Sequence, residues 1–119
     1  MKEKLIKVAI VEPLQEPKLV EITNELSSLQ NIVGGLIQVV VEPITGFDVV
    51  IDDEGKFREQ PLNRKLGEYD VLVGTFFVTK ADKNREFTSL TSNDFEQVKQ
   101  VFGLNSKLYP ALIGTWGGM

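Results

Sequence analysis

The sequence predicts an α+β fold: a mostly antiparallel sheet of about five strands with two main helices on one face. Three observations support this prediction: short apolar runs with a period of two, two longer stripes with a helical period, and turn signals between neighbouring strands in place of long crossovers. The chain has 119 residues, of which 42% are apolar, the usual size of one domain with one core. We therefore expect a single α+β domain over residues 1–107 and an apolar C-terminal tail over residues 108–119, which docks on the domain or on a neighbouring subunit.

Five runs of alternating or β-branched residues predict the strands of the sheet. They cover residues 5–11, 18–22, 36–41, 47–51 and 71–79. Pro13 and Pro17 bracket the connection between the first two runs, because proline fixes φ and cannot donate to a ladder. The first two strands are therefore expected to form a hairpin.

Two amphipathic stripes, over residues 26–33 and 92–102, predict the two main helices. Gly34-Gly35 follows the first stripe directly and is expected to end that helix, because glycine accepts the left-handed conformation that a helix end often needs. A short additional helix is predicted from Pro61 to Leu66, because proline suits the first helical position.

Composition excludes several classes of function. Cysteine and histidine are both missing, so the sequence offers no thiolate and lacks the usual general base near neutral pH. The formal net charge of −4 works against direct binding of nucleic acid, which needs clustered Lys and Arg. We therefore expect a protein that is not an enzyme and holds no metal or cofactor. The start lacks the pattern of a signal peptide and no apolar run reaches the length of a membrane span, which predicts no membrane contact and a cytoplasmic location.

Two short motifs suggest chemistry but favour a plainer interpretation. Gly34-Gly35 could be a phosphate loop, yet a phosphate loop precedes a helix, and here the helix comes first. Asp52, Asp53 and Glu54 could gather a hard cation, but the alternating oxygen ligands of a calcium loop are missing. A helix end and a charged hairpin turn are the favoured interpretations.

The segment from Arg58 to Arg64, together with the run that follows Gly74, is the strongest candidate for a ligand site. The planar fork of Arg64 matches a carboxylate or phosphate, Asn63 can bind the polar edge of a base-like ring, and Phe76 offers an aromatic face. In the competing interpretation Asn63 bridges backbone groups, Arg64 pairs with a carboxylate, and Phe76 belongs to the core. The candidate ligand-binding residues are Arg58, Gln60, Asn63, Arg64, Thr75 and Phe76.

The chain carries several ordered motifs: IVGGLIQVV at residues 32–40, EGK at 54–56, PLNR at 61–64, GTF at 74–76 and FTSL at 87–90. Together they resemble those of a family of small uncharacterised proteins carried by phages, plasmids and low-GC bacteria. The similarity covers residues 5–102, and the tail after Gly103 lies outside it. The family has no assigned activity. The resemblance implies an accessory protein of a mobile element, in which Asn63, Arg64 and Thr75 serve more than packing.

Two functions fit a small acidic protein in that setting, and the sequence favours the first, because the candidate polar groups cluster on two segments while the acidic residues are scattered. One is a sponge that binds and sequesters a small anionic, nucleotide-like ligand and so acts against host defence. The other is an acidic inhibitor that binds a host defence or restriction protein. A housekeeping role in replication or transcription is a third possibility. The apolar tail also predicts a homo-oligomer, because soluble monomers seldom expose such a surface.

Overall fold

The structure, a computed structural model, describes residues 3–67 and 70–116. Residues 1–2, 68–69 and 117–119 lie outside the described residues, and the last three belong to the predicted tail. The described part of the chain contains eight strands and two helices. In chain order they are β1 (Leu5–Val11), β2 (Lys18–Thr23), α1 (Leu26–Val33), β3 (Ile37–Val41), β4 (Asp48–Asp52), β5 (Leu62–Leu66), β6 (Asp70–Val73), β7 (Phe76–Ala81), β8 (Phe87–Thr88) and α2 (Ser92–Phe102).

The larger sheet has the strand order β2-β1-β7-β4-β3, and β8 pairs with one end of β7. Its pairings in the described ranges are antiparallel. The α+β fold with a mostly antiparallel sheet and two main helices is thus confirmed, and so is the hairpin of β1 and β2. Gly34 ends α1 at a φ of 90°, as the helix-end interpretation of Gly34-Gly35 requires.

The two helices lie on opposite faces of the large sheet, so the prediction that both lie on one face is wrong. Val8 and Ala9 are adjacent on β1, and adjacent side chains of a strand point to opposite faces. Leu29 of α1 packs in the core cluster that contains Val8, whereas Val98 of α2 packs in the cluster that contains Ala9. An amphipathic stripe shows that a helix covers a sheet, but it holds no information about which face is covered.

A second, smaller sheet of β5 and β6 covers the same face as α2. The short helix predicted from Pro61 to Leu66 is therefore wrong, because these residues begin and form β5. A proline without an N–H suits the start of a strand as well as the start of a helix. The predicted strand over residues 71–79 is divided at Gly74, whose φ of +66° turns the chain from the small sheet into the large one.

The described part of the tail runs along β5. Leu62 N donates to Gly114 O at 2.8 Å, and Leu112 N donates to Asn63 O at 3.0 Å. Before this segment, the ring of Tyr109 packs on Phe102 with 5.2 Å between the ring centroids. Residues 110–115 thereby add an irregular strand to the outer side of β5.

Candidate functional site

Arg64 is fully buried although it is the residue best suited to hold an anion. Its side chain enters the space between β5, the end of α2 and the turn after β1. Nε donates to Phe102 O at 2.8 Å, one terminal nitrogen donates to Asn63 Oδ1 at 2.9 Å, and the other donates to Gln15 O at 2.5 Å. Burial lowers the pKa of Arg64 from its ordinary value, and the charge of Glu16 opposes that change.

Asn63 is also fully buried and bridges two backbone segments. Its Nδ2 donates to Val11 O at 2.9 Å and to Gly74 O at 2.7 Å, while its Oδ1 accepts from Arg64. A buried amide with these partners has little capacity left for a ligand. In this arrangement Asn63 and Arg64 join β5 to the large sheet and to the end of α2.

Phe76 and Thr75 sit beside this buried network and differ in exposure. Phe76 is fully buried and meets Phe102 edge to face, with 5.2 Å between the ring centroids. It therefore presents no face for stacking. Thr75 is half-buried and lies between β6 and β7.

Arg58 and Gln60 gather instead around Asp52, at the end of β4. The carboxylate of Asp52 forms a short ion pair with Arg58 and accepts from Gln60 Nε2 at 3.0 Å. Arg58 also donates to Gly34 O at 3.1 Å, which ties the end of α1 to this corner. Gly35 leaves the necessary room, because a Cβ there would lie 2.5 Å from Arg58 Nη1. The structure thus divides the six predicted residues between a buried network and a half-exposed corner.

An open cleft of about 570 Å³ lies beside the Asp52 corner. One wall is formed by β3 and β4, the other by β6, and the turn after β4 closes one end. Its lining combines aliphatic side chains with two aromatic ones, Phe57 and Trp116. Phe57 is 89% exposed, so the rim of the cleft carries an uncovered aromatic ring.

The charges that line the cleft are mostly negative. Among the described residues, Asp52, Asp53, Glu59 and Asp70 contribute four carboxylates to this lining, against one ammonium group from Lys56. Lys56 Nζ lies 2.8 Å from Asp70 Oδ1 and 5.0 Å from the centroid of the Trp116 ring. A cleft that combines carboxylates with apolar and aromatic walls is suited to bind a positively charged group. Over the ranges that the structure describes, no group of three or more metal-binding side chains comes together.

A buried carboxylate anchors the start of the tail. Glu42 is fully buried and accepts from Ile44 N and Thr45 N, both at 2.6 Å, and from the hydroxyl of Tyr109 at 2.5 Å. Burial alone would raise the pKa of Glu42, but the hydrogen bonds from Thr45, Tyr109 and the backbone outweigh it and lower the pKa. Burial and the neighbouring carboxylate raise the pKa of Tyr109. This contact holds the tail against the turn between β3 and β4.

The cleft itself is not predicted by the sequence. The local pattern predicts a charged turn over residues 52–56 and assigns Trp116 to an apolar tail. Neither prediction indicates that the two segments meet. The exposed aromatic Phe57 inside a polar segment was a usable signal, because a large apolar side chain in such a turn is unusual. The approach of Trp116 to Lys56 depends on how the tail folds back, and no local pattern contains that information.

The fold and this site define a small α+β protein with an open, carboxylate-lined cleft between two sheets. The chain belongs to the DUF3846 family, a domain of unknown function, whose sequence model matches residues 6–103. The expected membership of an uncharacterised family is thereby confirmed. Trp116 lies beyond the matched residues. Comparison with curated proteins and with solved structures gives no match. Within residues 3–67 and 70–116, neither helix is long and apolar enough to cross a membrane.

Proposed function

We propose that this protein is a non-catalytic binding protein that holds a positively charged segment of another protein in the cleft between its two sheets. The carboxylate lining of that cleft is the observation that carries the proposal. By resemblance to proteins of phages and plasmids, the protein is an accessory factor of a mobile element. Its partner is then a host defence or restriction protein in the cytoplasm, which it inhibits.

The charges around the cleft support a cationic partner. Arg58 and Lys56 are already engaged by Asp52 and Asp70, while Asp53 and Glu59 are exposed beside them. A cleft with one sign of charge raises the local concentration of a ligand of the opposite sign. The apolar lining and the rings of Phe57 and Trp116 would bury the aliphatic part of a lysine or arginine side chain.

A second candidate is the sequestration of a small nucleotide-like anion. The observation that favours it is the ammonium group of Lys56 over the ring of Trp116, because a planar ligand could stack on the indole while Lys56 binds its phosphate. Arg58 lies at the same corner, with its side chain 41% exposed. The inaccessible Arg64, in contrast, would not contribute to this site.

The absence of catalysis is supported by composition, since a chain without histidine and cysteine lacks the commonest acid–base and nucleophilic groups. Self-association also remains part of the proposal. Leu108 and Ile113 are 51% and 82% exposed on the tail, and they are the side chains through which a homo-oligomer would form.

Calorimetric titration with two kinds of probe tests the proposal: a lysine-rich synthetic peptide, and a panel of mononucleotides and cyclic dinucleotides. We expect the peptide to bind, and its affinity to fall with added salt. Glu59→Gln combined with Asp53→Asn should weaken peptide binding by about tenfold or more. Glu21→Gln, a change on the distant strand β2, is the control and should leave it unchanged. Nucleotide binding that is lost on Trp116→Ala, without peptide binding, would favour the second candidate.

A further inference from the structure

Strand β3 is an open edge of the large sheet. Among the described residues it pairs with β4 on one side and with no strand on the other. Leu36 O accepts from Asp53 N, and Glu42 N donates to Phe47 O. Because hydrogen-bonding direction alternates along an antiparallel strand, the backbone groups of Ile37, Val39 and Val41 point away from β4. Their N–H and C=O groups lie along the free edge.

This edge lacks the features that usually prevent strand addition. Natural edge strands often carry lysine, proline or inward charges. The opposite edge, β2, follows Pro17 and includes Lys18 and Glu21. The five residues of β3 are all uncharged, and Val39 and Val41 are 43% and 60% exposed. The β3 edge is therefore suited to accept another strand.

We propose that the partner's segment binds as an added strand on β3, a mode of recognition that rests on the proposed function of the cleft. Side chains alternate between the faces of a strand. A residue opposite Gln38 or Val40 would point into the cleft, because those two side chains line it. A residue opposite Val39 would point to the other face, beside the exposed valines of β3.

This geometry specifies the sequence of the partner's segment. Asp53 lies directly beside Leu36 through its backbone hydrogen bond of 2.7 Å, and with Glu59 it places carboxylates at the Gln38 end of the edge. The partner therefore carries lysine or arginine opposite Gln38 and an apolar residue opposite Val39. The main-chain hydrogen bonds provide affinity, and the alternate side chains provide specificity.

A second copy of this chain fits the same edge less well. Two β3 strands paired about a two-fold axis would bring two carboxylate-lined clefts side by side, with no added positive charge to balance them. Each copy also has a net charge of −4. Like charges brought together disfavour association, whereas a cationic segment neutralises them.

The test uses a synthetic peptide of about six residues that alternates lysine and valine, the usual length of a strand. Val39→Pro removes an outward N–H from the edge and leaves the β3–β4 ladder intact, because proline is tolerated at an edge. We expect it to weaken peptide binding by about tenfold or more. Glu21→Pro places the same residue at an outward position of β2 and is the matched control. It should bind the peptide normally, and melting curves check the fold of both variants.

A second measurement leaves the protein unchanged. A peptide N-methylated at alternate residues keeps its charges but loses the N–H groups that would donate hydrogen bonds to the β3 carbonyls. It should bind much more weakly than the parent peptide. Equal binding of both peptides, or normal binding by Val39→Pro, would overturn strand addition while leaving the cleft as a binding site. Loss of binding only in Asp53→Asn with Glu59→Gln would overturn strand addition in the same way. A dimer that Val39→Pro converts to a monomer, without peptide binding, would assign the edge to self-association and contradict both proposals.

Discussion

At the scale of single residues, a buried arginine is stable only if its guanidinium group finds acceptors. Arg64 obtains three oxygen atoms, from Phe102, Asn63 and Gln15. Two of these residues are 38 and 49 positions away in the chain. The sequence could identify Arg64 and Asn63 as candidate polar groups, although it predicted a short helix for the segment that holds them. It could not identify acceptors that only the complete fold brings near.

Arg64→Ala should therefore lower the free energy of unfolding, because it leaves buried oxygens without a donor. The expected loss is about 3 kcal/mol or more. Arg64→Lys should recover little of this loss, because an ammonium group cannot span the positions that the planar fork reaches. Urea unfolding measures both variants. Arg85→Lys, the same change on an exposed arginine, is the control and should unfold like the parent. A stable Arg64→Ala that fails to bind nucleotides would instead support a ligand role for this residue.

At the scale of elements, the hairpin of β1 and β2 and the two main helices could be predicted because each depends on a local pattern. The alternation of Ile6 and Val8 and the helical stripe of α1 are visible in any short window of the chain. The break between β6 and β7 was not predicted, because the run from Val71 to Thr79 is continuously suited to a strand. Gly74 breaks it through its positive φ and through contact with Gln60, a tertiary cause that a local window does not contain.

Gly74→Ala should consequently lower the free energy of unfolding by more than the cost of placing alanine at a positive φ. A Cβ at position 74 would overlap Gln60 Oε1, so this side chain must move and its hydrogen bond to Asp52 is disturbed. Gly46→Ala is a matched control, because Gly46 also has a positive φ of +79° but has no atom within 4 Å of its added Cβ. Both variants carry a backbone cost of about 1–2 kcal/mol. Thermal melts should show a clearly larger loss for position 74, and equal losses would contradict the role of Gln60 in this turn.

At the scale of the whole molecule, the tail joins the small sheet to the rest of the fold. Tyr109 is 3% exposed between Phe102 and Glu42, while its neighbour Leu108 is 51% exposed. The sequence showed that the tail is apolar, but it could not show where it docks, because β5 and Glu42 are distant in the chain. The same reason explains why the cleft, which needs Trp116 beside Lys56, was not predicted.

Tyr109→Ala should lower stability by about 3–5 kcal/mol, because it removes a buried ring and a hydrogen bond to a buried carboxylate. Leu108→Ala is the adjacent control and should change little. Melting temperatures measured at several protein concentrations add a second test. A tail held within one molecule predicts melting that does not depend on concentration, whereas a tail exchanged between subunits predicts stabilisation as concentration rises. Similar melting of the two variants would contradict the anchoring role of Tyr109.

The strand order of the large sheet also determines when the protein can fold during its synthesis. β1 with β2 and β3 with β4 are hairpins between chain neighbours, so each can pair soon after it leaves the ribosome. In the described part of the sheet the two hairpins are joined through β7, which pairs with β1 on one side and β4 on the other. Long-range pairing of this kind is slow, because the intervening chain must be ordered first. Until Phe76–Ala81 has emerged, the nascent chain holds two separate hairpins, and the inner edges of β1 and β4 are open to other nascent chains.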